Sequence, residues 1–108
     1  MTFDDYENDA MAHAHYPTLG HAAVYPVLAL AGEAGVVANQ LKKALRDSTG
    51  RPVTLTKDER YKLLLELGDV LWYVTAAAGE LGTSLEGVAR LNLDKLEEQY
   101  GGRVCSNG

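Results

Sequence analysis

Residues 63–74 read LLLELGDVLWYV: nine apolar side chains and one glycine enclose two acids, Glu66 and Asp69. Apolar residues fall on nearly every face of the helix this stretch predicts, and a helix of that character is buried. The two acids stand three apart and so project from one face. Carboxylates set into an apolar stripe resist ionisation, through desolvation and mutual repulsion, unless something cationic neutralises them. A hard divalent cation with oxygen ligands meets that need and brings phosphate groups with it. A third acid in similar surroundings, Glu33, lies in LALAGEAGVVANQLKK, residues 28–43. The competing interpretation makes Glu66 and Asp69 a solvated helix edge, paired with Arg60, Lys62 or the basic end of the preceding helix.

The punctuation on either side is helical. Thr2 is placed to cap a short first helix reaching about His15, with a break over residues 16–20, YPTLG. A second helix is expected from near His21 to Arg46, and Pro26 inside it requires either a kink or a start one turn later. Residues 47–52, DSTGRP, have loop composition. Thr56 and Glu59 then match a capping box for a third helix ending near Leu81 and stopped by Gly82. Thr83 and Glu86 offer another, opening a fourth helix through Leu91, Leu93 and Leu96 to Tyr100, ended by Gly101 and Gly102. No β-type alternation occurs, so the predicted fold is all-α, a bundle of about four helices. Four helices in a chain this short do not readily enclose the apolar third one. A homo-oligomer with third helices packed together is therefore expected, a long monomeric bundle being the alternative.

Length and charge limit what such a bundle does. At 108 residues the chain suits one domain, spanning 1–108 with a flexible tail from about residue 102. Fifteen acids against ten bases give a net charge of −5, which disfavours binding along a nucleic-acid polymer. An anionic substrate then has to be held by a local site. The single cysteine, Cys105, has no internal partner, so a reducing compartment fits. The acidic start MTFDDYENDAMAHAH lacks the features of a signal peptide, and no apolar run approaches the ~20 residues that span a bilayer. A cytoplasmic protein without membrane contact is the expectation.

The combination of YPVLALAGEAGVVANQLKK, LLLELGDVLWYV and LEGVARLNLDKLEEQYGG resembles the MazG-type all-α nucleoside triphosphate pyrophosphohydrolases over roughly residues 24–103. The resemblance implies a helical bundle assembled as a dimer or tetramer. It also implies Mg²⁺-dependent cleavage of an NTP or dNTP between the α and β phosphates, to a nucleoside monophosphate and pyrophosphate, with Mn²⁺ as a substitute ion and house-cleaning of nucleotide pools as a role. The family's second acidic motif, Glu-x-x-Asp, falls on Glu66 and Asp69. Its first, Glu-x-x-Glu, falls on Glu33 and Val36, so a valine stands where the family has a carboxylate. Three acids, Glu33, Glu66 and Asp69, remain to hold metal and serve catalysis, and Mg²⁺ tolerates the vacancy because it keeps several waters. The implied substrate contacts are Gln40 and Lys43 on the phosphates, Asn92 and Lys95 on the polyphosphate or metal shell, Tyr73 as a hydroxyl donor, and Trp72 against the base.

Each of those positions has a plainer role beside the functional one. Lys43 suits a solvated helix C-terminus, and Trp72 suits core or interface packing. No GxxxxGK[ST] occurs, so phosphate binding has to use ions and lysines rather than a Gly-rich cradle. Val36 also admits a degenerate homologue that binds or senses nucleotides without catalysis. A di-iron bundle would want Glu-x-x-His motifs, and His13, His15 and His21 all lie outside the acidic helices. A helical interaction module would need neither the acids nor the lysines.

Overall fold

The computed structural model describes residues 1–48 and 54–101; most of the expected loop, Gly102 and Cys105 lie outside them. The described residues form four helices and no strand: α1 (Phe3–Met11), α2 (Val24–Asp47), α3 (Lys57–Glu80) and α4 (Leu85–Tyr100). No helix among them is long and apolar enough to cross a membrane.

Thr2 caps α1 with the Asp5 carboxylate returning to its N–H, a reciprocal box worth about 1 kcal/mol. The helix ends at Met11 and leaves His13 and His15 outside, four residues short of the expected His15. A tertiary bond explains the early stop. In a longer helix the Ala10 carbonyl would accept from Ala14 N–H; here it accepts from the Trp72 indole at 3.0 Å, and Ala14 bonds back to Met11 instead. α2 begins at Val24, not His21, and the buried Pro26 sits in its first turn, where no intrahelical partner is needed and no kink is required.

Thr56 and Glu59 cap α3 reciprocally, as expected. At its other end Gly82 takes φ +85°, Gly82 N–H bonds to Gly79 and Thr83 N–H to Ala78. This is the paired ending that a left-handed glycine allows. The expected Thr83/Glu86 box is displaced by one residue. Ser84 is the cap, accepting from Gly87 N–H, and Glu86 pairs with Arg90 at 3.7 Å. Gly101, with φ +62°, closes α4.

α2 and α3 make most of the interhelical packing, and they run antiparallel. Gln40 and Lys43 meet Glu59 and Lys62 at one end, Glu33 meets Glu66 in the middle, and Val24 and Leu28 meet Leu81 at the other. The buried core is made of small residues, Ala23, Ala44 and Ala76 to Ala78, with Pro26, Thr75 and Leu85. Large side chains remain outside it: Leu64 is 59 % exposed, Leu67 49 % and Leu91 66 %. The radius of gyration, 17.0 Å, exceeds the roughly 13 Å of a compact chain this long. α3 is thus only half covered by its own chain.

Candidate metal centre

Glu33 from the middle of α2 and Glu66 and Asp69 from the middle of α3 each bring one carboxylate oxygen within 4.8 Å of the others. Glu33 and Glu66 are half-buried at the helix contact, whereas Asp69 is exposed at its rim. The placement follows from periodicity. Glu33, Val37, Gln40 and Ala44 form the inward stripe of α2, and Glu66 and Asp69 occupy one face of α3.

Among the described residues no Lys or Arg neutralises this trio. Lys62 pairs with Asp58 at 3.3 Å, Arg46 with Asp47 at 3.4 Å, and Arg90 with Glu86. A helix edge paired with Arg60 or Lys62 is therefore not what the structure contains. Glu66 Oε2 is shut off from solvent and has no hydrogen-bond partner. The neighbouring Glu33 carboxyl first, then burial and the Asp69 charge, raise the Glu66 pKa.

These donors fit a hard cation. Oxygens on opposite sides of Mg²⁺ lie about 4.2 Å apart at bond lengths of ~2.1 Å. The trio's oxygens all lie within 4.8 Å of one another, so small side-chain rotations bring them to that span.

The raised Glu66 pKa has a definite pH signature. An acid whose folded pKa lies above its unfolded value of 4.5 binds more protons folded than unfolded, so stability falls as pH rises through that window. In chelator, melting temperature should decline from pH 4.5 upward until Glu66 is ionised. In Glu66→Gln that decline should shrink, and an unchanged profile would remove Glu66 as its source.

Beside the acids lies a cavity of about 330 Å³ lined by Glu33, Asp69, Trp72 and Tyr73. Tyr73 stands edge-on to Trp72 at 5.1 Å, and Trp72 edge-on to Tyr16 at 6.4 Å. Tyr16 in turn stacks on Tyr25, nearly parallel at 6.1 Å. The Tyr73 hydroxyl is held protonated by burial first, then by Tyr25, Glu33 and Asp69. Burial and the Asp69 charge likewise raise the Tyr6 pKa.

Residues 25–103 match the MazG nucleotide pyrophosphohydrolase domain, which spans both acidic helices and α4. The chain belongs to the MazG family. It is also 39 % identical over 104 residues to the Gene 37 protein of Mycobacterium phage L5, covering 92 % of this chain and 89 % of that one. No solved structure gives a significant match.

Of the positions implied by the MazG resemblance, the structure brings Glu33, Glu66, Asp69, Trp72 and Tyr73 together. Gln40 and Lys43 line a different cavity, of about 370 Å³, shared with Asp47, Glu59 and Lys62. Asn92 and Lys95 are exposed on α4, which makes no contact with α2 among the described residues. Val36 is 39 % exposed, at the solvent edge of the Glu33 face, while Val37 is the one turned inward. Tyr16 and Tyr25 had no signal in sequence spacing, because Tyr16 meets both Tyr25 and Trp72, from segments apart along the chain.

Proposed function

We propose that the protein is a nucleoside triphosphate pyrophosphohydrolase, cleaving an NTP or dNTP between the α and β phosphates to a nucleoside monophosphate and pyrophosphate. The observation that carries this reading is the orphaned Glu66 oxygen among three converging carboxylates, opening on an aromatic-walled cavity in a MazG chain. Glu33, Glu66 and Asp69 hold Mg²⁺, or Mn²⁺ in its place. When bound, the ion supplies positive charge against the phosphate oxygens and against the charge that develops on the leaving pyrophosphate.

The chain's own groups do the rest. Glu33 and Glu66, half-buried side by side, are suited to orient the attacking water and to receive its proton. Tyr73 offers a protonated hydroxyl to a phosphate oxygen. Trp72 presents its ring to the cavity while its N–H is fixed on Ala10, a posture suited to packing against the sugar of the substrate. Separation of products from an NTP and dNTP panel with Mg²⁺ tests the reading. Monophosphate plus pyrophosphate supports it, and diphosphate plus orthophosphate overturns it.

Val36 favours a second reading, a nucleotide-binding homologue without turnover. Retained nucleotide binding with no product from any substrate would select it.

Assembly belongs to the same proposal. The half-exposed leucines of α3 and α4 are closed off by a second copy, giving a homodimer or homotetramer. Asn92 and Lys95 then reach a phosphate chain across the assembled interface. Light scattering at micromolar concentration should report a dimer or larger, and a soluble monomer would overturn this.

A further inference from the structure

A second cavity, of about 390 Å³, lies beyond the aromatic wall, between α1 and the C-terminal half of α3. Its volume falls within the range of small-molecule sites. It continues the face of α3 that carries the metal acids: from Asp69 to Ala76, on its floor, is seven residues, about 10 Å along the axis. That separation is of the order a ribose and its base span. Gly79, with open space where a Cβ would stand, keeps the floor flat. Tyr16 lines this cavity and touches Trp72, which lines the other, so one aromatic contact divides the two.

The polar lining is biased toward acceptors. The Tyr16 hydroxyl donates its proton to Glu80 Oε1 at 2.6 Å, and burial first, then this bond and the Glu80 charge, push its pKa up to about 12. The buried Thr75 hydroxyl likewise donates to the Leu71 carbonyl at 2.8 Å. Glu7 accepts from Leu85 N–H at 2.9 Å through one oxygen. The second oxygens of Glu7 and Glu80 and the Tyr16 hydroxyl oxygen remain as acceptors. Asn8 alone carries side-chain N–H groups, and no Lys, Arg or His among the described residues lines the cavity.

A ligand edge that fits has to lead with donors. Cytosine, adenine and guanine carry an exocyclic amine, a two-proton donor that uracil and thymine lack, carbonyls flanking their single ring N3–H. An amine against a carboxylate forms a charge-assisted bond; a carbonyl there leaves the carboxylate unpaired and repelled. We infer that this cavity receives the nucleobase, with Glu80 selecting bases that bear an exocyclic amine and Tyr16 positioning Glu80. The inference rests on the proposed pyrophosphohydrolase site and adds its substrate class.

The test compares dCTP, dATP and dGTP with dUTP and dTTP for hydrolysis in Mg²⁺, alongside calorimetric binding of the α,β-imido analogues of dCTP and dUTP. Amine-bearing substrates should exceed dUTP and dTTP at least tenfold in kcat/KM, with the same order in binding. Glu80→Gln replaces an acceptor with a donor, so the dCTP to dUTP ratio should fall at least fivefold while Mn²⁺ affinity stays unchanged. Tyr16→Phe keeps the ring but releases Glu80, and should lower the same ratio through KM rather than kcat. Melting curves verify that both variants are folded. Turnover without base preference, or an equal loss on every base in Glu80→Gln, overturns the inference and leaves the pyrophosphohydrolase reading standing. Selective binding without turnover does the reverse, and failure of both binding and turnover removes both.

Discussion

Glu66→Gln and Asp69→Asn should each lower turnover by well over ~100-fold, more than the loss usual when a group merely supporting a metal ligand is removed. Both substitutions preserve side-chain size and remove the charge that holds a hard cation. Their effects on stability should differ. Glu66 Oε2 is enclosed and unpartnered beside Glu33, so neutralising it relieves repulsion and desolvation, and Glu66→Gln should melt above wild type in chelator. Asp69 is exposed at the rim, and its amide should leave the metal-free melting point nearly unchanged. Adding Mg²⁺ should raise the wild-type melting point and move neither variant by as much. Turnover above a tenth of wild type in either variant would take that residue out of the metal site. A fall in helicity on circular dichroism would instead assign it to the fold.

The parts of this site that could be read from the sequence are those carried by helical period. Glu66 and Asp69 share a face because they are three apart on one helix, and the apolar context around both acidic helices announced that the acids meet at a contact. Thr56, Glu59, Gly82 and Gly101 marked helix ends correctly, since capping is decided within a few residues. The errors arose where a distant group competes with a local one. α1 stops early because Trp72, 62 residues away in sequence, takes the Ala10 carbonyl. The α4 cap moved because Ser84 and Thr83 are near-equal local choices, and Glu7 from α1 supports the first N–H of a helix that begins at Leu85.

Lys43 shows a different limit. Period places it three turns beyond Glu33 on the same helix, but does not say what α3 brings opposite it. The structure sets it in a separate cavity opposite Lys62 and Glu59, because α3 crosses α2 at that level with its own charged first turns. The aromatic wall was hidden for the reverse reason. Tyr16 lies in a segment whose composition says only that the chain turns, and its contacts with Tyr25 and Trp72 depend on where that turn leads. Local composition predicts an element boundary; it does not say which side chain the boundary delivers to a site.

Val36→Glu should strengthen the response to metal. Position 36 lies three residues after Glu33 at the open edge of its face, so a carboxylate there can turn toward the trio without entering the core. Each added anionic ligand raises affinity for a hard cation, and a fourth should strengthen Mg²⁺ binding by roughly tenfold, about 1.4 kcal/mol. The same charge acts the other way without metal. It adds repulsion to three carboxylates that have no neutralising cation among the described residues, so the variant in chelator should melt below wild type. The two changes have opposite signs, which separates them from a simple packing defect. Val36 is partly exposed, and losing its side chain alone would depress the melting point equally with and without Mg²⁺. Titration should show the Val36→Glu variant starting lower and gaining more, the gain growing with free Mg²⁺ as mass action requires. Val36→Gln, isosteric with the test variant but uncharged, should show neither effect. Equal Mg²⁺ responses in Val36→Glu and wild type would mean that position 36 does not face the ion, and the missing family carboxylate would then carry no consequence for how this chain holds its metal.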